Sequence, residues 1–440
     1  MDLKLCNYLL YKLHHSKNIK YLHYDLFSNI RLSQKDSNVK IGLINVACAG
    51  FGDIINCKTF SEYLKLWYPN IQFTICTSSP HKFKSLGISD RNLTKLKAIK
   101  IHDKDEDSEC QPFSNLKFSG KIPKFDLIIV VPMVNDFFSV KKLQKLVPYA
   151  TIYNSFSVSE YNGEYPPYAF PTGVGPNTMG LMLTNMKIKK HNLIKGPYVL
   201  AYTAGHDTNC NTHTNHCILS FLEMICKKYK DKKKLQFIIP PWLCSNDETS
   251  LLTSPQFKTK CIKIIQKYFG VSYLVLNEGV ISENNTLQLV ENGKNKNEFI
   301  LRGDILPKPR EEFISLIKYS LPDVLLTGDQ SVTDGIAYSN MNKIIWYQVC
   351  PWKVDLASQL AKEINNKYLD NFKTSCGTLK GIHVRPENKK LIKNHDFRKK
   401  GKLRMDSILK FHSVKDNPLI KIYIECINSS RKKETAMKKF

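Results

Sequence analysis

Residues 39–55 read VKIGLINVACAGFGDII, and this stretch decides the fold class. The apolar run from Val39 to Ala47 predicts a buried strand, which Gly50 and Gly52 stop. Beyond Asp53, Ile54, Ile55, Phe60, Tyr63, Leu64 and Trp67 recur at helical spacing until Pro69 and Asn70 end the pattern. Residues 71–76 (IQFTIC) predict a second strand. Residues 125–131 (FDLIIVV) predict a third, whose unbroken aliphatic run after Asp126 suits a parallel strand buried on both faces. Strand, helix and strand in alternation predict an open parallel sheet.

A second β/α series begins at 196–203 (GPYVLAYT). Strands are expected at 235–239, 273–276, 299–301, 323–326 and 344–347, with 344–347 closing the sheet. Helices are expected near 215–229, 257–269 and 311–319. Between the two series, Gly163, Pro166, Pro167, Pro171, Gly173, Gly175, Pro176 and Gly180 crowd a stretch where such density opposes regular structure. Residues 151–196 therefore predict a linker and part of an interdomain cleft. The expected architecture is α/β, with two Rossmann-like β/α domains facing a central cleft. Residues 1–38 form an N-terminal extension, 39–190 and 191–378 the two domains, and 379–440 a basic, partly helical C-terminal extension. Ligands of such sheets sit at the carboxyl ends of the strands.

A net charge of +26 in 440 residues admits an anionic partner, whether nucleic acid, an acidic membrane surface or an anionic substrate. The excess is largely lysine, which also fits a solvated surface. Thirteen cysteines, an odd number without a CxxC pair, fit free thiols in a reducing compartment. The N-terminus lacks an apolar signal core, and no window approaches the ~20 apolar residues that span a bilayer. These features predict a cytoplasmic protein without a transmembrane segment.

Residues 327–334 (TGDQSVTD) join an expected strand to an expected helix that Ser331 or Thr333 could cap. A helix start favours an anion such as phosphate. Asp329 inside that turn would repel one unless it has other work. Asp53 occupies the matching place in the first series, as a helix cap or as a general base. The Gly50–Asp53 turn lacks the third glycine of a dinucleotide fingerprint, which disfavours NAD. His206, Cys210, His213, His216 and Cys217 match no structural zinc spacing, so no metal site is assigned.

Together, Gly52-Asp53-Ile54, Ile305-Leu306-Pro307-Lys308, the helix containing Phe313 to Ile317, and Gly328-Asp329-Gln330-Ser331 resemble inverting GT-B-fold glycosyltransferases. The distant resemblance is to the bacterial protein-arginine rhamnosyltransferases, over about residues 40–360. It implies a nucleotide-diphosphate sugar as co-substrate, with no cofactor. By motif, Asp53 is similar to the catalytic base and Asp329 to a functional glutamate. Gln330 and Ser331 match diphosphate-side residues, and Ile305 and Leu306 the base-binding loop. Asp329 is one methylene shorter than the family's glutamate, Gln330 replaces an acid, and Lys308 stands where the family has glutamine, so arginine and rhamnose are not carried over.

The backbone N–H groups of Ser331 and Val332, with the Ser331 hydroxyl, could stabilise a leaving diphosphate without a metal. Gly52 belongs to the same family turn as Asp53. Gly205 and His206, after the second series' first strand, could form a second wall of the diphosphate pocket. The expected function is metal-independent glycosyl transfer to an unidentified protein or glycan acceptor. A nucleotide-sugar epimerase of the same fold is the alternative within enzymes. A non-catalytic nucleic-acid-binding protein using the basic tail is the alternative outside them; the tail has few aromatics for stacking on bases.

Overall fold

The computed structural model describes residues 39–414 except 48–51, 100–110, 134–139, 152–153, 162–168, 176–177, 184–187, 191–192, 204–207, 245–249, 277–285, 294, 349–353, 365–368 and 375–376. The chain divides into two compact units, Met1–Met182 with His395–Phe440, and Leu183–Asn394.

In the first unit, β1 (Lys40–Asn45), α1 (Gly52–Trp67), β2 (Gln72–Thr77), α2 (Pro80–Ser85) and β3 (Leu93–Ala98) lead to β4 (Leu116–Phe118). Then come β5 (Leu127–Met133), α3 (Val140–Leu143), β6 (Ser155–Tyr161) and β7 (Ala169–Thr172). The sheet order is β4-β3-β2-β1-β5-β6-β7. Every pairing is parallel except β3 with β4.

The second unit holds β8 (Tyr198–Tyr202), α4 (Thr208–Lys228), β9 (Lys234–Ile238), α5 (Pro255–Gln266), β10 (Val271–Val275), β11 (Thr286–Val290) and β12 (Glu298–Arg302). It continues through α6 (Arg310–Tyr319), β13 (Asp323–Leu326), α7 (Asp329–Tyr338), β14 (Ile344–Tyr347) and α8 (Val354–Glu363). It ends with β15 (Leu369–Thr374), β16 (Gly377–His383) and α9 (Pro386–Asn394). Its sheet runs β11-β10-β12-β9-β8-β13-β14-β16-β15, with a parallel centre and antiparallel margins. The final described helix, α10 (Phe397–Val414), belongs to the first unit.

Because side chains alternate along a strand, the central strands β1 and β5 each feed two cores. Ile41, Leu43, Ile129, Val131, Phe156 and Val158 pack with α1 on one face, whereas Ile44, Ile128 and Val130 pack with Leu143, Leu146 and Val147 on the other. Gly42 is required on β1, since a Cβ there would lie 2.4 Å from the Phe125 ring. In the second unit, Val199, Ala201, Phe237, Phe299 and Leu325 pack beneath residues of α4 and α5.

Three features differ from expectation. The proline-rich stretch contains β6 and β7, which extend the sheet. Residues 155–161 (SFSVSEY) alternate small buried serines with Phe156 and Val158 and so lack an apolar run. Pro171 is tolerated because β7 is an edge strand. Next, β14 does not close the second sheet, because the hairpin of β15 and β16 continues it. Finally, the basic stretch from 379 onward divides: β16 and α9 complete the second unit, while α10 returns to the first. There Phe397, Met405 and Ile408 join the α1 core, with the Phe397 ring 5.1 Å from Tyr63 and 5.2 Å from Trp67. Among the described residues, no helix is long and apolar enough to cross a membrane.

Candidate functional site

In the second unit the chain leaves β8 for β9, β12 and β10 on one side, then crosses to β13 and β14 on the other. The strand order therefore reverses between β8 and β13. In such sheets the crevice beyond the carboxyl ends at this reversal is where ligands bind. The Thr327 amide donates to the Tyr202 carbonyl at 3.0 Å and ties the two strand ends together. The 327–334 motif starts at this point.

Helix α7 begins at Asp329, with Gly328 at its cap position and no side chain capping it. Ser331 and Thr333 are thus not caps. Both lie inside the helix, where the Thr333 hydroxyl donates back to the Asp329 and Gln330 carbonyls at 3.1 Å each. Gly328 has φ of −70°, a value open to any residue, so its role is spatial. A Cβ there would approach the Ser331 Oγ to 3.0 Å, so the hydroxyl reaches back across the helix mouth. The Val332 amide is committed to the Gly328 carbonyl at 2.9 Å, and its side chain is fully buried. Val332 therefore has no amide to offer a ligand, whereas the amides before it have no carbonyl one turn earlier in the helix.

The acid in this turn has a fixed contact. The Tyr347 hydroxyl, at the end of β14, donates to Asp329 Oδ1 at 2.7 Å. Gln330 donates through Nε2 to Asp334 Oδ1 at 3.1 Å. Arg310, the first residue of α6, grips the same carboxylate through Nε at 3.0 Å and Nη2 at 2.7 Å. Burial raises the Asp334 pKa, while Arg310 and Gln330 pull it down. The result is a largely buried ion pair joining the start of α6 to the middle of α7.

Thr203, directly after β8, is 3% exposed, and its hydroxyl has no hydrogen-bond partner among the described residues. Its carbonyl accepts from Trp242 Nε1 at 2.9 Å. Ile305 and Leu306 follow β12 at the same sheet edge but are buried, so a ligand there would meet their backbone rather than their side chains. Bidentate pairing of Arg302 with Asp304 at 2.7 and 2.6 Å braces that loop. Gly205 and His206 lie outside the described residues, as do the side chains of Cys210, His213 and His216. Among the described residues, no group of three His, Cys, Asp or Glu could hold a metal.

The first sheet has the same logic, because its order reverses between β1 and β5. Gly52 and Asp53 open α1 immediately beyond that point. The helix starts at Gly52, so Asp53 stands within its first turn, where a carboxylate suits the helix dipole, and it is largely buried. Beneath it, Asn45 donates through Nδ2 to the carbonyls of Asp53 at 3.2 Å and Val131 at 2.9 Å. Its Oδ1 accepts from the Thr77 hydroxyl at 3.1 Å.

No family model and no curated protein matches this chain. Function must therefore be argued from the two switch points themselves. Each holds one of the two specific motifs of the sequence. Asn45, Thr203, Arg310 and Asp334 are additions of the structure. A polar residue ending an apolar strand was the available signal for Asn45, and i,i+4 spacing for the Gln330–Asp334 hydrogen bond; the Arg310–Asp334 ion pair, 24 positions apart, had none.

Proposed function

We propose that this protein is a GT-B-type glycosyltransferase. In this reading the second unit binds a nucleotide-diphosphate sugar at the start of α7, and the first presents the acceptor beside Asp53. The observation that carries the proposal is positional: the Gly328–Ser331 turn and the Gly52–Asp53 turn each stand at the strand-order reversal of their own sheet. The α7 amides and the Ser331 hydroxyl stabilise negative charge on the departing diphosphate. Asp53 takes the proton from the acceptor as its nucleophilic atom bonds to the anomeric carbon and the bond to the diphosphate oxygen breaks, inverting that carbon.

Calorimetry of the full chain with nucleoside diphosphates tests the donor site. Binding should weaken roughly ten-fold or more in Ser331→Ala, because a hydrogen bond to a charged group contributes about 1.5–3 kcal/mol. Asp53→Asn should reduce transfer by about two orders of magnitude or more while sparing donor affinity. Chelator treatment should leave the rate unchanged. Absence of nucleotide binding would refute the assignment, and an altered sugar formed without acceptor would point to an epimerase.

A further inference from the structure

The Asn45 side chain is wholly buried, yet every polar atom of it is engaged across a boundary that a ligand crevice would border. Its amide nitrogen bonds the first turn of α1 and the β5 backbone, and its oxygen is held by Thr77 on β2. The Asn45 carbonyl also accepts from the Ser78 amide at 3.4 Å, and the Ser79 amide donates to the Thr77 hydroxyl at 3.1 Å. One amide therefore links three neighbouring strand ends, β2, β1 and β5, to the residue that opens α1.

The direction of these bonds matters. Two carbonyls, of Asp53 and Val131, require a donor at the same place, which only the NH2 side of the amide supplies. With the NH2 group so placed, Oδ1 faces the Thr77 hydroxyl and accepts from it. An aspartate would direct an acceptor at two acceptors, and a leucine would remove the donor that joins the Val131 carbonyl to the first turn of α1. Ordinary strand-end packing requires none of this polarity.

We propose that Asn45 is a positioning residue for Asp53, fixing the backbone from which the carboxylate reaches the acceptor proton, with Thr77 anchoring the amide oxygen to β2. This rests on the reading of Asp53 as general base. The consequence is kinetic: a misplacement of about 1 Å at a reacting group can cost on the order of a hundred-fold in rate without affecting a distant binding site.

The test is a double-mutant cycle on the full chain. Asn45→Ala and the milder, nearly isosteric Thr77→Val are each made in the native and Asp53→Asn backgrounds, with circular dichroism confirming the fold. In the native background, kcat should fall about ten-fold or more for Asn45→Ala and less for Thr77→Val, with nucleoside-diphosphate affinity unchanged. In the Asp53→Asn background neither change should lower kcat further, because residues acting through one group are not additive. Equal losses in both backgrounds would overturn the positioning role, as would a folded Asn45→Ala with native kcat. If Asn45→Ala does not fold, Thr77→Val decides by the same comparison. Full activity in Asp53→Asn alone would instead remove the general-base reading and this inference with it.

Discussion

The smallest consequential feature is the missing side chain at Gly328. Its backbone angles suit any residue, so Gly328→Ala should fold with nearly unchanged melting temperature. The new methyl would press on the Ser331 hydroxyl from 3.0 Å and turn it from the helix mouth. Nucleoside-diphosphate affinity should therefore fall several-fold in calorimetry, approaching the ~1.5–3 kcal/mol expected of a hydrogen bond to a charged group. Unchanged affinity would place the anion elsewhere. At this scale the sequence disclosed the motif but not its contacts. The pattern TGDQSVTD placed an acid at a helix start, whereas the hydroxyl that holds Asp329 comes from Tyr347, eighteen positions away in sequence. Thr203 was illegible because a buried hydroxyl without a partner has no sequence signature.

Among elements, those with strong periodicity were legible. Residues 39–47 contain β1, the 3.6-residue pattern after Asp53 is α1, and the helix expected at 311–319 is α6 beginning one residue earlier. Elements held by tertiary context were not: β6 relies on small serines between the buried β5 and the edge strand β7, and β15 needs β16 beside it. Helix α10 is the instructive case: a partly packed basic helix was legible from Ile408 and its apolar neighbours, but not that Phe397 and Met405 would join Ile408 in the first-unit core. Phe397→Ala should cost about 3–5 kcal/mol, measured by urea denaturation, as expected for emptying a buried aromatic site. A change within 1 kcal/mol would show that α10 is dispensable. In the second unit, Asp334→Ala removes the carboxylate that the partly buried Arg310 grips and should destabilise by about 1.5–3 kcal/mol, measured in the same way.

For the whole molecule, buried titratable groups set an alkaline limit. Lys343 is buried among the Ser320 and Leu321 carbonyls, and burial lowers its pKa to about 8 against an attraction from Asp323. Between pH 8 and its ordinary value of 10.5, the folded protein has released this proton and the unfolded chain still holds it. Stability then rises with pH, by up to about 1.4 kcal/mol per pH unit. The thiols act oppositely. Burial raises Cys76 and Cys244 to about 12 and pushes Cys57 and Cys226 up as well, from an ordinary 9.0. Above pH 9.0 the unfolded chain loses protons that the folded state keeps, so each thiol now subtracts about as much per unit as Lys343 adds. Tyr198 and Tyr229, also raised by burial, join them above pH 10.0. Burial also lowers Lys389, with help from Lys393 and Lys318, but the raised acids outnumber these two amines, so stability on the alkaline side should crest near pH 9 and fall steeply beyond pH 10. Urea denaturation under reducing conditions at successive pH values measures the curve. Lys343→Met should reduce the rise below the crest and leave the fall above it. A native curve that keeps rising past pH 10 would mean that the thiols ionise within the fold.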